Sequence, residues 1–395
     1  MRIKRSCSPS QHLKESFRSI RRKIKQMLRE SRLKYINSIC SSRGQNPKRF
    51  WTFFKTKTKV SNIPEKVSMK VNNTERTSAN NAVEIANTFN TYFASIFTHD
   101  SDMDHQRQQE HTETDIILED ITLTNAEVMA VLRNLDNNKA HGPDGVPARL
   151  LTETAFQIAP SLCALFNKSL RCGILPDDWK LANVVPVHKR GEKSYVENYR
   201  PISLLSLISK VLERCVFNNI KHQVFQQINP CQHGFVPGKS CVTQLIEVFE
   251  QIGRKLDNGE QIDVIYLDMS KAFDKVSHTK LLHRLREFGF RGNILNWFSS
   301  YLSNRRQQTT VHGATSRPLA VTSGVPQGSI LGPLLFLLYE NHLPNTVNNS
   351  TIATFADDTK IFRTISSTSD ASSLQEDLTN FEVCSSNVNL ELNAE

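Results

Sequence analysis

Two acidic sites in the chain have the residue types and the setting of divalent-metal ligands. Phe355-Ala-Asp-Asp358 lies between two short apolar runs, which is the pattern of a β-hairpin with two carboxylates at its tip. Asp268 ends a run of β-branched and aromatic residues that begins at Gln261, so we expect it at the end of a strand. Taken separately, the doublet also fits a solvated turn, and Asp268 fits a helix N-cap.

Together these acids suit the transfer of a phosphoryl group from a nucleoside triphosphate. That reaction uses two Mg²⁺ ions about 3.5 to 4 Å apart, one at the attacking hydroxyl and one at the leaving pyrophosphate. Mg²⁺ is bound by few carboxylates, together with phosphate oxygens and water. The prediction of a shared metal site therefore requires that the strand before Asp268 and the later hairpin pair in one sheet.

Longer segments around these acids resemble the reverse transcriptase of non-LTR retrotransposons (LINE elements, jockey-like or CR1-like). Three segments carry the resemblance most strongly: Ile265-Tyr-Leu-Asp-Met-Ser-Lys-Ala-Phe-Asp-Lys-Val-Ser-His278, Ser323-Gly-Val-Pro-Gln-Gly-Ser-Ile-Leu-Gly-Pro333 and Phe355-Ala-Asp-Asp-Thr-Lys-Ile-Phe362. Upstream segments look like the family's finger segments: His141-Gly-Pro-Asp-Gly-Val-Pro147, Leu175-Pro-Asp-Asp-Trp-Lys180, Val185-Pro-Val-His-Lys-Arg190, Asn198-Tyr-Arg-Pro-Ile-Ser-Leu204 and Gln232-His-Gly-Phe-Val-Pro-Gly-Lys-Ser240. The resemblance extends from about residue 120 to residue 395.

The resemblance implies a set of catalytic and metal-binding residues. Asp268, Asp357 and Asp358 would be catalytic and would ligate two Mg²⁺ ions, with Mn²⁺ as a possible substitute. Met269 would add its backbone carbonyl as a further metal ligand. Asp358 is the ligand on which related polymerases depend least.

Five residues are predicted to bind the nucleotide. Phe273 stands where the family places an aromatic beneath the incoming sugar, although a buried helical Phe would look the same. Lys189 and Arg200 flank a polar loop and would grip the triphosphate, unless they are only surface cations. By resemblance, Gln327 and Gly328 line the nucleotide and template pocket.

Three residues, Gly142, His233 and Lys239, are candidates for template contact, whereas Lys271 and Asp274 are expected to be surface or structural residues. The predicted function is an RNA-directed DNA polymerase whose partners are an RNA template, a DNA primer or target, and dNTPs. One alternative is an inactive nucleic-acid-binding relic of such an element. Another is an RNA-dependent RNA polymerase, which the bulk of Phe273 disfavours.

The predicted fold class is α+β, and the resemblance implies a right-hand polymerase with fingers and a palm. A small, mostly antiparallel palm sheet would carry the acids. The predicted domains are residues 1–59 (basic helical arm), 60–119 (connector with a helix and a polar linker), 120–169 (N-terminal finger extension) and 170–395 (fingers and palm). No thumb is expected after residue 395 and no endonuclease before the arm, as in a piece of an element.

The periodicity of apolar residues predicts most of the elements that would position these groups. Helices are expected at 125–135, 147–171, 203–222, 240–256, 278–288, 292–303 and 329–340. Strands are expected at 184–188, 262–268, 307–312 and 317–322, before the Asp-Asp hairpin.

Charge is distributed unevenly along the 395 residues. Residues 1–59 hold 18 Lys and Arg against 2 Glu, so this segment accounts for the net charge of +10. Apolar residues recur every three or four positions there, which predicts an amphipathic helix with a basic face from Arg18 to Lys34. Nucleic acid is the favoured partner, with an anionic membrane or calmodulin as alternatives. The aromatic segment 46–54 resembles the family's connector.

The remaining composition predicts an intracellular protein in the cytoplasm or nucleus. The eight cysteines are scattered without a Cys-x-x-Cys pair, so reduced thiols and no zinc site are expected. The N-terminus does not resemble a signal peptide, and no apolar run is long enough to span a membrane.

Three positions depart from the family's pattern. Glu340-Asn-His342-Leu-Pro344 stands where the family usually has Ile-Asn-Asp-Leu-Pro, so an acid is lost and a charge replaces an apolar residue. Val236 stands where a basic residue is common. The sequence stops one residue short of the Lys that ends the family's Leu-Asn-x-x-Lys segment. These departures bear on whether the enzyme works, and efficient polymerisation is not expected because the thumb normally grips the primer and the duplex.

Overall fold

The chain divides into two compact units, residues 1–62 and 63–395. The computed structural model describes residues 11–41, 63–70, 76–98 and 117–393. The predicted connector at 46–54 lies outside the described residues, as does nearly all of the predicted polar linker at 98–118. The four predicted domain boundaries stay predictions.

Helix α1 (Gln11–Ser41) is the described element of the first unit, and it confirms the helix predicted for the basic arm. Its apolar residues Ile20, Ile24, Met27 and Leu28 are all more than half exposed. The described Lys and Arg side chains of α1 are exposed as well. These cations are therefore accessible to a polyanion.

The second unit alternates helices with short strands. Its helices are α2 (Ala82–Ser95), α3 (Asn125–Arg133), α4 (Ala148–Glu153), α5 (Ala155–Cys172), α6 (Leu207–Phe225), α7 (Cys241–Asp257), α8 (Ala272–Lys275), α9 (His278–Glu287), α10 (Gly292–Leu302), α11 (Gly332–Glu340) and α12 (Thr368–Asn387). Its strands are β1 (Val67–Lys70), β2 (Arg76–Ala79), β3 (Leu181–His188), β4 (Tyr199–Leu204), β5 (Ile262–Leu267), β6 (Arg305–Val311), β7 (Ala314–Thr315), β8 (Leu319–Val321), β9 (Thr351–Phe355) and β10 (Asp358–Thr364).

The strands form three small sheets. β1 and β2 make a hairpin, β5, β10 and β9 make a three-stranded antiparallel sheet in that order, and β4, β3, β6 and β7 make the third. In the third sheet β8 also pairs with β6, and β3 and β6 run parallel. Small sheets among many helices confirm the predicted α+β class.

The main core is built from helices that pack beneath the three-stranded sheet. Trp297 of α10 is fully buried, stacks on Tyr301 with ring centroids 5.6 Å apart, and donates from Nε1 to Ser169 of α5 at 3.1 Å. Helix α11 is buried along most of its length, since Gly332 and residues 334–340 are shielded from solvent. This buried helix supports both the acidic hairpin and the turn that contains Gln327.

The structure differs from the predicted elements at several places, one of which is the β1–β2 hairpin that no pattern predicted. The predicted helix 147–171 is two helices that meet at Thr154. Residues 199–204 form strand β4, part of which was predicted as helix. Helix α12, which follows the acidic hairpin, was not predicted.

Two general properties can be stated for the described part of the chain. Its seven cysteines are free thiols. None of its helices combines the length and apolar character that crossing a membrane requires.

Candidate active site

The three predicted acids lie at one end of the β5–β10–β9 sheet. Leu267, the last residue of β5, pairs with Thr359 of β10, so Asp268 and Asp358 are the next residues of the two strands at that end. Asp357 occupies the two-residue turn between β9 and β10. The strand pairing on which the site depends is confirmed, while the assignment of these acids as metal ligands stays a prediction.

Electrostatics couple the three acids. Burial raises the pKa of Asp357 above its ordinary value, and the negative charges of Asp358 and Asp268 raise it further. The nearby Lys189 opposes this shift. The charges of Asp268 and Asp358 therefore act on Asp357 at short range, and a cation stabilises such an arrangement of carboxylates.

Asn393, the last described residue of the chain, bonds to the Asp268 side chain. Asn393 donates from Nδ2 to the Asp268 carboxylate at 3.0 Å and from its backbone N–H to the Asp268 carbonyl at 2.8 Å. The neighbouring Met269 is buried and forms an antiparallel bridge with Leu392. The residues after α12 therefore fix the backbone around the first acid.

The donor set fits Mg²⁺ in its chemistry, because it consists of carboxylate oxygens whose like charges converge. Within the described residues, however, no three His, Cys, Asp or Glu side chains are close enough together to hold one ion as they stand.

Phe273 lies on the short helix α8, five residues after the first acid. Its ring stacks on Phe336 of α11, with centroids 4.3 Å apart and an angle of 15° between the planes. Phe235 meets the same ring edge-on at 6.1 Å. The Phe273 ring is therefore fixed in orientation and only partly buried.

Asp274 restrains the side chain of Gln327 through hydrogen bonds. Its Nε2 donates to both carboxylate oxygens of Asp274, at 2.9 and 3.0 Å. Asp274 is buried, and burial raises its pKa to about 6 against the opposing effects of Gln327 and Lys271. Gly328 has a φ of 113°, and a Cβ there would lie 2.8 Å from the Ser203 carbonyl of β4. The turn thus requires glycine and packs tightly on β4.

The two predicted phosphate-binding cations are both exposed. Lys189 directly follows β3, and its backbone N–H donates to Asn198 at 2.8 Å. Its charge reaches Asp357, so the structure brings it to the acids. Arg200 pairs with Val187 within the β3–β4 hairpin, and no such coupling to the acids is seen for it.

Comparison with known proteins decides the family. Residues 187–395, more than half of the chain, match the protein family described as reverse transcriptase (RNA-dependent DNA polymerase). The chain belongs to the reverse transcriptase family.

Relatives in Drosophila melanogaster agree with this assignment. The probable RNA-directed DNA polymerase from transposon BS is 31% identical over 71% of this chain and 32% of that protein. The RNA-directed DNA polymerase from mobile element jockey is 32% identical over 69% of this chain and 31% of its own length. The corresponding X-element protein is 37% identical over 59% of this chain and 26% of its own length. The chain, which spans at most about a third of these relatives, is a LINE-type reverse transcriptase, as its motifs predicted.

The three residues of this reverse transcriptase that are predicted to contact the template pack or bond within the fold. A Cβ at Gly142 would lie 2.5 Å from the backbone of Leu205, so that glycine allows close chain packing. His233 is buried and Lys239 donates to the carbonyl of Pro230. A role for these residues in template binding stays a prediction.

Four polar residues that the structure brings close to the acidic motifs or to their neighbours are absent from the predicted site. Lys271 donates to the hydroxyl of Tyr92 on α2 and lies 4.4 Å from the centre of its ring. Gln232 and Glu340 bond to each other next to the hairpin tip, at 2.7 Å. Glu340 could have been found from its unusual charge and Gln232 from its place in a family segment, whereas nothing in the sequence singles out Tyr92.

Proposed function

We propose that this chain is the nucleotide-adding part of an RNA-directed DNA polymerase of a non-LTR retrotransposon. It extends the 3′-OH of a DNA primer with dNTPs, using RNA as the template. The observation that carries the proposal is the pairing of Leu267 with Thr359, which aligns Asp268 with Asp358 at one sheet end. In this proposal the β5–β10–β9 sheet is the palm, and the β3–β4 hairpin belongs to the fingers.

Asp268, Asp357 and Asp358, with the backbone carbonyl of Met269, would hold the metal ions. Bound Mg²⁺ would supply charge neutralisation at the attacking and leaving oxygens. The chain's own task is to hold the three carboxylates at the same end of the β5–β10–β9 sheet, within reach of the ions they would bind.

The cations near the acids would orient the triphosphate. Lys189 is exposed and electrostatically coupled to Asp357, so a phosphate group placed between it and the acids meets positive charge. Lys271 lies near Lys189, since the charge of Lys189 contributes to a pKa of Lys271 that burial chiefly lowers. Arg200 would bind the phosphates only in a closed form of the β3–β4 hairpin.

Two residues would select the sugar and the base pair. The Phe273 ring, fixed by Phe336, would exclude a ribose 2′-OH through its bulk. Gln327, restrained by Asp274, would present its free carbonyl oxygen towards the substrate. Gly328 permits the tight turn that brings this side chain next to β4.

Helix α1 would itself bind nucleic acid. α1 presents exposed Lys and Arg side chains through most of its length. Release of counterions from a polyanion makes such binding strong at low salt and weak at high salt. RNA template and DNA primer or target are the proposed partners.

A primer-extension assay tests the proposal. The full chain should incorporate dTTP on poly(rA)/oligo(dT) in the presence of Mg²⁺, and Asp357→Asn should abolish incorporation. Asp263→Asn, on the same sheet but five residues before Asp268, is the matched control and should retain activity. RNA binding without any incorporation by the unaltered chain would refute the proposal and identify a nucleic-acid-binding relic.

A further inference from the structure

A four-residue strap, residues 231–234, runs beside the acidic hairpin. The backbone of Thr354 in β9 donates to Cys231 at 3.1 Å and accepts from His233 at 2.9 Å. Gln232 and Thr354 form a parallel bridge between these two bonds. The strap therefore extends the three-stranded sheet beyond β9 up to the hairpin tip.

The Gln232 side chain bonds both backbone groups of Ala356, the residue before the two aspartates. Its Oε1 accepts from the Ala356 N–H at 2.8 Å, and its Nε2 donates to the Ala356 carbonyl at 3.3 Å. Oε1 also accepts from the Gly234 N–H at 2.6 Å. With Glu340 on its remaining N–H, the buried amide uses its full hydrogen-bonding capacity.

Ala356 needs this support because its backbone is unfavourable for an L-amino acid. Its φ is 52°, in the left-handed region, which costs a non-glycine residue about 1 to 2 kcal/mol. Gly234 packs so closely that a Cβ there would lie 2.2 Å from the Ala356 nitrogen. Strained backbone of this kind persists only where surrounding contacts determine it.

Glu340 fixes which way the Gln232 amide points. Its Oε1 accepts from Gln232 Nε2 at 2.7 Å, and both side chains are buried. With the amide turned over, two oxygens would face each other and the Ala356 N–H would face a donor. The acidic residue that departs from the family's usual apolar one therefore supplies the acceptor oxygen that orients the glutamine.

The opposite side of the strap is anchored on α7. The buried His233 ring contacts Thr243 Oγ1 at 3.0 Å and Glu247 Oε2 at 3.1 Å. The strap thus bonds to α7 through His233 and to α11 through Gln232 and Glu340. Motion of the hairpin tip relative to these helices requires the Gln232 bonds to break.

We propose that Gln232, oriented by Glu340, is a positioning residue that holds the Ala356 turn so that Asp357 and Asp358 face the metal site. The inference rests on the proposed function of those aspartates. Partners that orient metal ligands typically change metal affinity or activity about 10- to 100-fold when they are replaced. Gln232 would act in this way through the backbone, without touching metal or substrate.

Gln232→Met is the decisive variant, because it keeps the length of the side chain and removes all four polar contacts. We expect its affinity for Mn²⁺, titrated by electron paramagnetic resonance, to fall about tenfold or more. We also expect faster hydrogen exchange in the peptide 351–359, and in primer extension a lower kcat with little change in the KM for dTTP. Glu340→Leu should move each readout in the same direction but less, and Glu340→Gln should stay near the unaltered chain.

Asn90→Leu is the matched control for stability. It removes another buried amide, which lies on α2 and whose Nδ2 donates to the Arg317 carbonyl at 2.8 Å. The inference is overturned if Gln232→Met matches Asn90→Leu in Mn²⁺ affinity and in exchange of 351–359. A chain that incorporates no nucleotide refutes the proposed function, yet exchange and Mn²⁺ affinity still decide the role of Gln232.

Discussion

Leu267 and Thr359 face each other across the β5–β10 pair, and the next residue on each strand at that end is an aspartate. This single register joins two motifs that lie about ninety residues apart in the chain. A shift by one residue would turn the side chains of one strand to the other face of the sheet. The proposed active site therefore depends on the register of β5 and β10 as much as on the acids themselves.

Lys189 is predicted to bind the triphosphate. Lys189→Ala should raise the KM for dTTP about tenfold, since a lost charge-assisted contact of this kind amounts to about 1.4 kcal/mol or more. Steady-state primer extension measures the effect. Lys193→Ala, an exposed lysine of the same loop, is the control and should leave KM unchanged. Equal effects at both positions would show that only the general charge of the loop matters.

Phe273 is predicted to exclude ribonucleotides. Phe273→Val should raise the incorporation of rUTP relative to dTTP, because the smaller side chain leaves space for a 2′-OH. It should also lower thermal stability, since the stack on Phe336 is lost. Phe290→Val, at a fully buried Phe in another part of the core, should lower stability without changing sugar selectivity. Unchanged selectivity in Phe273→Val would leave the ring with a packing role alone.

Glu287 is predicted to stabilise the fold in a pH-dependent way. Burial alone would raise its pKa, but bonds and charges from His342 and Arg284 lower it to about 2, below the ordinary 4.5. Its contribution is therefore complete above about pH 4.5 and is lost as the pH falls towards 2. Glu287→Gln should lower the free energy of unfolding by about 1 to 2 kcal/mol at pH 7.

Urea titrations at several pH values measure this difference. The deficit of Glu287→Gln should shrink steadily below pH 4.5. Glu376→Gln, at an exposed position on α12, should show no deficit at any pH. A deficit in Glu287→Gln that is as large at pH 2.5 as at pH 7 would rule out the ionic contribution.

The cations of α1 are predicted to bind phosphates. A variant with glutamine at four of them should lose four phosphate contacts. Each lost contact should reduce the slope of log affinity for single-stranded RNA against log salt by about 0.7, so the slope should fall by about 3. The four replacements are Arg21→Gln, Arg22→Gln, Lys23→Gln and Lys25→Gln. Exchanging Arg and Lys at the same positions keeps the charge and should preserve the slope. An unchanged slope in the glutamine variant, with binding to anionic vesicles instead, would indicate a membrane surface.

The acidic motifs, α1 and most helices could be predicted because their signals are local. The run before Asp268 and the apolar flanks of Asp357 are visible within a few residues, and α1 repeats its apolar residues at helical spacing. Strand β4 is less visible in the sequence, since Pro201 within it is unfavourable for a strand. Proline is tolerated in β4 because β4 is an edge strand, which has a neighbouring strand on one side only.

The departures from the family pattern show what local signals cannot provide. Glu340 is a misplaced charge by the family pattern, yet it bonds to Gln232, which lies 108 residues away. His342 was read as a lost acid, yet it contacts Glu287 at 3.3 Å, 55 residues away. Val236, where a basic residue is common, packs against the main core. Each partner is set by tertiary structure, so a single sequence does not show whether a substitution is compensated.

Iron-directed cleavage tests the shared metal site most directly, without requiring polymerase activity. Fe²⁺ bound in place of Mg²⁺, with ascorbate and peroxide, produces hydroxyl radicals that cut the backbone near the ion. We predict cuts at both Asp268–Met269 and Asp357–Asp358, and the loss of both in Asp357→Asn. Cuts at only one of these segments, or a pattern unaffected by Asp357→Asn, would contradict a common metal site for the three acids.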